Sequence, residues 1–187
     1  GKMGKGIFTL SYHSDSDIWL TTHTATKSIT IDDVRQIFSH LLFHHRNPYI
    51  LQEGILLDEC NNQKYDFRIL LIKKHSEWNV IGIGVRAADK NRITTHTVRG
   101  GNLLPMELVA SENDIDNLTQ AAKQIAFELA NKEKTLRECS LDIGKDREGN
   151  YWLFEVNAKP MAFDEKNIET KRISALVETF YHAINGS

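Results

Sequence analysis

Apolar residues recur three and four positions apart along Ile31 to His45, at Val34, Ile37, Phe38, Leu41 and Leu42, which predicts an amphipathic helix. Thr30 stands at the N-cap, and Asp32 and Asp33 fall in the first turn, where the helix dipole favours carboxylates. Asn47-Pro48 ends it. Ser111 to about Lys134 carries a second helical stripe, Ile115, Leu118, Ala122, Ile125, Ala126 and Leu129, with Ser111 and Asp114 in capping-box spacing. A third runs from about Asn167 to Ile184, with Ile168, Ile173, Leu176, Val177 and Phe180 expected to face inward. Strand-like runs occupy Ile7 to Tyr12, Tyr65 to Lys73 and Trp78 to Arg86, the last two joined near His75-Ser76-Glu77. Tyr49 to Leu57 is an extended run in which Gly54 suggests a bulge or a close backbone approach.

Leu141 to Pro160 reads as a β-hairpin with a chemical face. Trp152, Phe154 and Val156 alternate with Tyr151, Leu153, Glu155 and Asn157. With Arg147 to Asn150 as a four-residue turn, Tyr151 pairs with Asp146, Leu153 with Gly144 and Glu155 with Asp142. Two like charges placed directly opposite destabilise a sheet, so a cation is expected between Asp142 and Glu155. Asn157 lies two residues along on the same face. Two carboxylates and an amide oxygen are hard ligands that suit Mg²⁺ better than zinc, with phosphates and water completing the shell. On these residues alone, a solvated acidic hairpin is the other reading.

Elsewhere each candidate also has two readings. Gly1 to Gly6 sets Lys2 and Lys5 among Gly1, Gly4 and Gly6, which is either an anion-cradling loop or a plain tail. It is not a P-loop, because no Gly-Lys-Ser/Thr follows. Asp66 and Arg68 are two apart and share a strand face, either beside a phosphate-binding site or as a surface ion pair of little energetic value. His40 and His44 have metal-ligand spacing on a helix but no third ligand, so they read as ordinary helix histidines.

The hairpin resembles the metal-binding signature of the ATP-grasp superfamily, with an Asp on one strand and Glu-x-Asn on the next. Within it, the chain is most similar to the YheC/YheD-type proteins, described as endospore coat-associated. Gly1-Lys2-Met3-Gly4-Lys5-Gly6-Ile7, Tyr49-Ile50-Leu51-Gln52-Glu53-Gly54-Ile55, Asp66-Phe67-Arg68 and Arg99-Gly100-Gly101 follow in the family's order and cover nearly the whole chain. The resemblance implies an α+β fold of antiparallel sheets flanked by helices. Residues 1–48 would be an incomplete first lobe and 49–187 the main lobe. It implies ATP and Mg²⁺ as cofactors, the metal at Asp142, Glu155 and Asn157. Lys2, Gly4, Lys5 and Gly6 would close over the phosphates; Gln52, Glu53 and Ile55 would meet the adenine; Asp66 would face the ribose. Arg68 and Arg86 would contact phosphate or acyl-phosphate oxygens. Arg99, Gly100, Gly101 and Lys159 would line the acceptor site.

The implied activity is that of an ATP-dependent carboxylate–amine ligase working through an acyl phosphate. The alternative is a non-catalytic nucleotide-binding or spore-coat interaction module. The chain departs from the family's pattern at Ser140, where some ligases carry a basic residue, and at Met161, where relatives usually have Gly after the Pro. The opening at Gly1 reads as a piece of a longer protein, expected to fold but to show little ligase activity alone.

Composition bounds the rest. The 187 residues, 41% apolar and 26% charged, suffice for a sizeable core. A net charge of −2 gives no general attraction to nucleic acid. No apolar run reaches the length of a membrane span. Cys60 and Cys139 are not spaced as a metal pair and read as reduced thiols, which places the protein in the cytoplasm, with an endospore-coat association implied by the resemblance.

Overall fold

The computed structural model describes residues 7–22, 24–44, 49–88 and 102–185. The Gly-rich loop with Lys2, Gly4, Lys5 and Gly6, and the loop with Arg99, Gly100 and Gly101, lie outside the described residues. The chain forms two compact units, with the division between Leu56 and Leu57.

The first unit is a three-stranded antiparallel meander, β1 (Thr9–Ser14), β2 (Asp17–Thr21) and β3 (Thr26–Ile29), followed by helix α1 (Ile31–His44). Ile18, Leu20 and Ile29 form its core, and Val34 and Ile37 of α1 pack on them. Thr30 caps α1 as expected: its hydroxyl accepts from the Asp33 N–H at 3.2 Å, and the Asp33 carboxylate accepts from the Thr30 N–H at 2.8 Å. Leu42 was expected on the apolar face but is exposed. The small sheet provides a core only for the first turns of the helix. Residues 49–56 have no regular structure, and no described residue approaches the Gly54 position within 4 Å, so neither the bulge nor the close approach expected there is found among the described residues.

The second unit is built on a six-stranded antiparallel sheet ordered β7-β6-β5-β8-β9. Its strands are β4 (Glu59–Cys60), β5 (Gln63–Lys74), β6 (Glu77–Ala87), β7 (Asn102–Leu103), β8 (Glu138–Lys145) and β9 (Tyr151–Asn157), with β4 paired to the start of β5. Helices α2 (Glu112–Lys132) and α3 (Lys166–Asn185) complete it. All described pairings are antiparallel, so the fold is α+β as expected.

Central β5 reads apolar on both faces because both are covered. Tyr65, Phe67, Ile69 and Leu71 face the main core with Cys139, Leu141 and Ile143 of β8 and Leu118, Ala122 and Ala126 of α2. Leu70 packs on the other face with Phe163 and Ile168. Helix α2 has the expected reciprocal capping box at Ser111 and Asp114. Asp114 also accepts from Lys145 Nζ at 3.0 Å and from the Tyr151 hydroxyl at 2.5 Å, tying the helix start to the base of the hairpin. These bonds, Tyr151 first, hold the Asp114 carboxyl well below the usual carboxylate range.

Helix α3 corrects an expectation. Ile168 and Ala175 are buried, but Ile173, Val177 and Phe180 are 57%, 63% and 64% exposed. The apolar residues of this segment spread over more than one face, and the sheet selects the face carrying Ile168 and Ala175.

Candidate functional site

The site follows from strand register. Arg68 of β5 pairs with Gly84 of β6 on one side and Asp142 of β8 on the other, and Asp142 pairs with Glu155 of β9. Side chains in such a row point to one face of the sheet. The neighbouring row on that face holds Arg86, Asp66 and Gly144, and the next holds Gly82, Leu70, Ser140 and Asn157. Three adjacent rows thus place Asp66, Arg68, Arg86, Asp142, Glu155 and Asn157 on one face of the sheet.

The predicted facing of Asp142 and Glu155 is present, but the turn beyond it differs. Tyr151 pairs with Lys145, Trp152 with Gly144 and Leu153 with Ile143, one residue off the expected register. A bulge at Phe154 restores the register at Glu155. The cause is Asp146, which joins the turn instead of the strand. Its carboxylate accepts from the backbone N–H of Glu148 at 2.9 Å and of Asn150 at 2.8 Å, and from Trp152 Nε1 at 2.8 Å. Gly149, at φ 89°, supplies the left-handed residue that this loop needs.

Of the two facing carboxylates, Asp142 is met by an arginine of the protein. Arg86 binds Asp66 through two bonds of 2.9 and 2.8 Å, and its Nη2 lies 3.1 Å from Asp142 Oδ2. Asp66 and Arg86 are each 4% exposed and Asp142 6%, so this is a buried triad and not the surface Asp66–Arg68 pair weighed from the sequence. Burial alone would lower the Arg86 pKa. The two carboxylates outweigh it and hold the guanidinium protonated well beyond its ordinary range. Three carboxylates, Asp66, Asp142 and Glu155, share these rows with two arginines, Arg68 and Arg86, and Arg86 pairs with Asp66 and Asp142 alone.

Asp142 Oδ1, the oxygen that Arg86 does not hold, is buried without a hydrogen-bond partner among the described residues. A buried acceptor left unsatisfied costs about 1–3 kcal/mol, more when charged. A cation beside Oδ1 would remove that cost. Among the described residues no group of three or more His, Cys, Asp or Glu is arranged to hold a metal. The donor set is two carboxylates and an amide, which fits Mg²⁺ completed by phosphate and water, and does not fit zinc.

Arg68 differs from Arg86. Its Nη2 donates to the Met161 carbonyl at 3.1 Å, and its guanidinium lies 4.4 Å from the centroid of the Phe163 ring. Burial, then the charge of Arg86, lowers its pKa. Most of its fork is not engaged by described residues, so it keeps donors for an oxyanion.

The segment after the hairpin was missed from the sequence. Glu165 places a buried Oε1, without a hydrogen-bond partner, on the backbone of Gly84, where a Cβ would overlap it. Burial raises its pKa, and the charge of Asp164 adds to this. Gly82 and Gly84, two apart on one strand, were the signal available: both lie under α3 and its lead-in, and a Cβ at Gly82 would sit 2.7 Å from Ile168.

Lys159 is exposed after β9. Gln52 and Glu53 are exposed and Ile55 is half-buried, all in the segment that groups with the first unit. His40 is exposed.

An Asp on one strand faces the Glu of a Glu-x-Asn on the next, the arrangement for which the hairpin was likened to the ATP-grasp class. A family model described as YheC/D like ATP-grasp matches residues 1–183, and the chain belongs to that family. This assigns it to the ATP-binding, ligase-type domains. Its relatives include the endospore coat-associated protein YheD of Bacillus subtilis (strain 168), 30% identical over 171 residues, 86% of this chain and 38% of the relative. The endospore coat-associated protein YheC of the same organism is 24% identical over 170 residues, 85% of this chain and 44% of the relative. The chain spans less than half the length of either relative. No described helix is long and apolar enough to cross a membrane.

Proposed function

We propose that this chain is the MgATP-binding part of an ATP-dependent carboxylate–amine ligase. The observation that carries the reading is Asp142: one oxygen is held by buried Arg86, the other is buried without a partner, and Glu155 stands across from it. Mg²⁺ held by Asp142, Glu155 and Asn157 would neutralise phosphate charge. Arg86 fixes the Asp142 carboxylate in place. Arg68 offers its fork to an oxygen of the transferring phosphoryl or of the acyl phosphate formed from the carboxylate substrate. No nucleophilic side chain is required, because positioning and electrostatics carry phosphoryl transfer.

In the same reading, residues 1–48 belong to one lobe and 49–187 to the other. Gln52, Glu53 and Ile55 meet the adenine and Asp66 the ribose. Lys2, Gly4, Lys5 and Gly6 cover the phosphates, while Arg99, Gly100, Gly101 and Lys159 serve the acceptor. The names of YheD and YheC suggest an association with the endospore coat.

Calorimetric titration with a non-hydrolysable ATP analogue, with and without Mg²⁺, tests the metal site. Glu155→Gln should weaken the Mg²⁺-dependent binding at least tenfold, about 1.4 kcal/mol. Asp142→Asn should do the same and also lower the melting temperature, since Arg86 loses a charged partner. Unchanged Mg²⁺-dependent affinity in both variants would remove the hairpin from the site. Phosphate release from ATP in the presence of candidate carboxylates separates a ligase from a binding module.

A further inference from the structure

We infer that Ser140 is a positioning residue for Asn157: its hydroxyl oxygen accepts a hydrogen bond from the Asn157 side-chain NH2 when the amide oxygen turns toward Asp142 and Glu155. The inference rests on the Mg²⁺ reading above and adds to it a residue that acts through a ligand and not on the metal.

Ser140 is 0% exposed, and its Oγ has no hydrogen-bond partner among the described residues. Buried polar side chains are nearly always bonded, so an orphan hydroxyl in a central strand asks for a partner. Strand register supplies one. Ser140 of β8 pairs directly with Asn157 of β9, two positions from the pair of Asp142 with Glu155, and the ladder is regular between the two pairs. The side chains of Ser140 and Asn157 therefore share the face that carries Asp142 and Glu155, with Cβ atoms about 5 Å apart. A hydroxyl and an amide can meet across that distance. Asn157 is itself half-buried. The rest of the row is Leu70 and Gly82, which have no polar side-chain atom. Leu70 continues into an apolar cluster with Phe163 and Ile168.

An asparagine amide carries one acceptor oxygen and one NH2, and the two exchange places when it flips. Only the oxygen can face a cation, so the NH2 must turn away from it. In a row closed by Leu70 that NH2 loses water and needs an acceptor. Ser140 Oγ is the side-chain acceptor that the row holds. It would select the amide orientation that the metal requires, as residues bonded to the far atom of a metal ligand do elsewhere.

Calorimetric titration of the whole chain with a non-hydrolysable ATP analogue, with and without Mg²⁺, gives the first readout. In Ser140→Ala the gain in affinity on adding Mg²⁺ should fall about tenfold, the lower end for a residue that orients a metal ligand. Asn157→Ala should lose at least as much. Adding Ser140→Ala to it should cost nothing further, because the two residues act through one contact. A thermal melt without metal gives the second readout. Ser140→Ala should melt no lower than wild type, since it removes an unsatisfied buried hydroxyl. A hydroxyl that served the fold alone would do the reverse, lowering the melt and leaving the Mg²⁺ gain intact. That result, or additive losses in the double variant, would overturn the assignment while the metal reading stands. A wild type that gains nothing from Mg²⁺ would overturn both.

Discussion

Glu165 shows how a single residue registers the cost of the site. Its carboxyl is half-buried over Gly84, with one oxygen unsatisfied, and burial raises its pKa above the ordinary value. A folded-state pKa above the unfolded one means that ionisation is harder in the native protein. The associated stability is present below the unfolded pKa and is lost as pH rises through the folded value. The wild type therefore carries the cost at neutral pH. Glu165→Gln should raise the melting temperature at pH 8 and give no gain at pH 4. A variant less stable at pH 8 would show that the ionised carboxylate is paired in solution. Arg86 lies at the other extreme: both of its carboxylate partners are buried, so Arg86→Met should cost about 3–5 kcal/mol in a denaturant melt.

At the scale of elements, the packing of α3 on the sheet rests on two glycines of β6. Gly82 and Gly84 leave no room for a Cβ beneath Ile168 and Glu165. Gly82→Ala should force the helix start outward and destabilise by about 1–3 kcal/mol, the usual cost of overpacking. Ile168→Ala should cost about 2–5 kcal/mol, while Val177→Ala on the exposed face should stay within about 0.5 kcal/mol. Equal costs for Ile168 and Val177 in urea melts would mean that α3 sits with its other face inward. The helix starts at Thr30 and Ser111 were legible because a side-chain oxygen followed three residues later by an acid is a local signal. The facing of Asp142 and Glu155 was expected from a turn register that does not form, and it is the Phe154 bulge that brings the two opposite each other. The identity of the inward face of α3 was not legible, since its apolar residues fit more than one face and only the sheet decides. Nor was the Phe154 bulge, which depends on Asp146 leaving the strand to gather the turn's N–H groups. Asp66 pairing with Arg86 in place of Arg68 is a non-local fact of register, invisible in a spacing of two.

For the whole molecule, the two units differ in what holds them. The first has three buried apolar residues in its core, Ile18, Leu20 and Ile29. The second has a core running from Tyr65 to Ile143 over both β5 and β8, plus a satellite of Leu70, Phe163 and Ile168 on the opposite face. Each fully buried aliphatic side chain contributes about 1.5–3 kcal/mol relative to exposure, so the first unit has far less to set against its conformational entropy. Local opening follows such differences. In hydrogen exchange followed by mass spectrometry, amides of β5 and β8 should be the slowest to exchange, and those of β1 to β3 should exchange earlier by a lower-energy opening. The asymmetry bears on the proposed site, because Asp66, Arg68, Arg86, Asp142, Glu155 and Asn157 all lie in the second unit. MgATP analogue binding there should slow exchange in β8, β9 and the lead-in to α3 even while β1 to β3 still open. If the nucleotide also rests on the first unit, as the two-lobed reading proposes, exchange in that unit should slow in proportion to occupancy. Protection confined to the first unit, with β8 and β9 unchanged, would place the nucleotide away from the hairpin and refute the site.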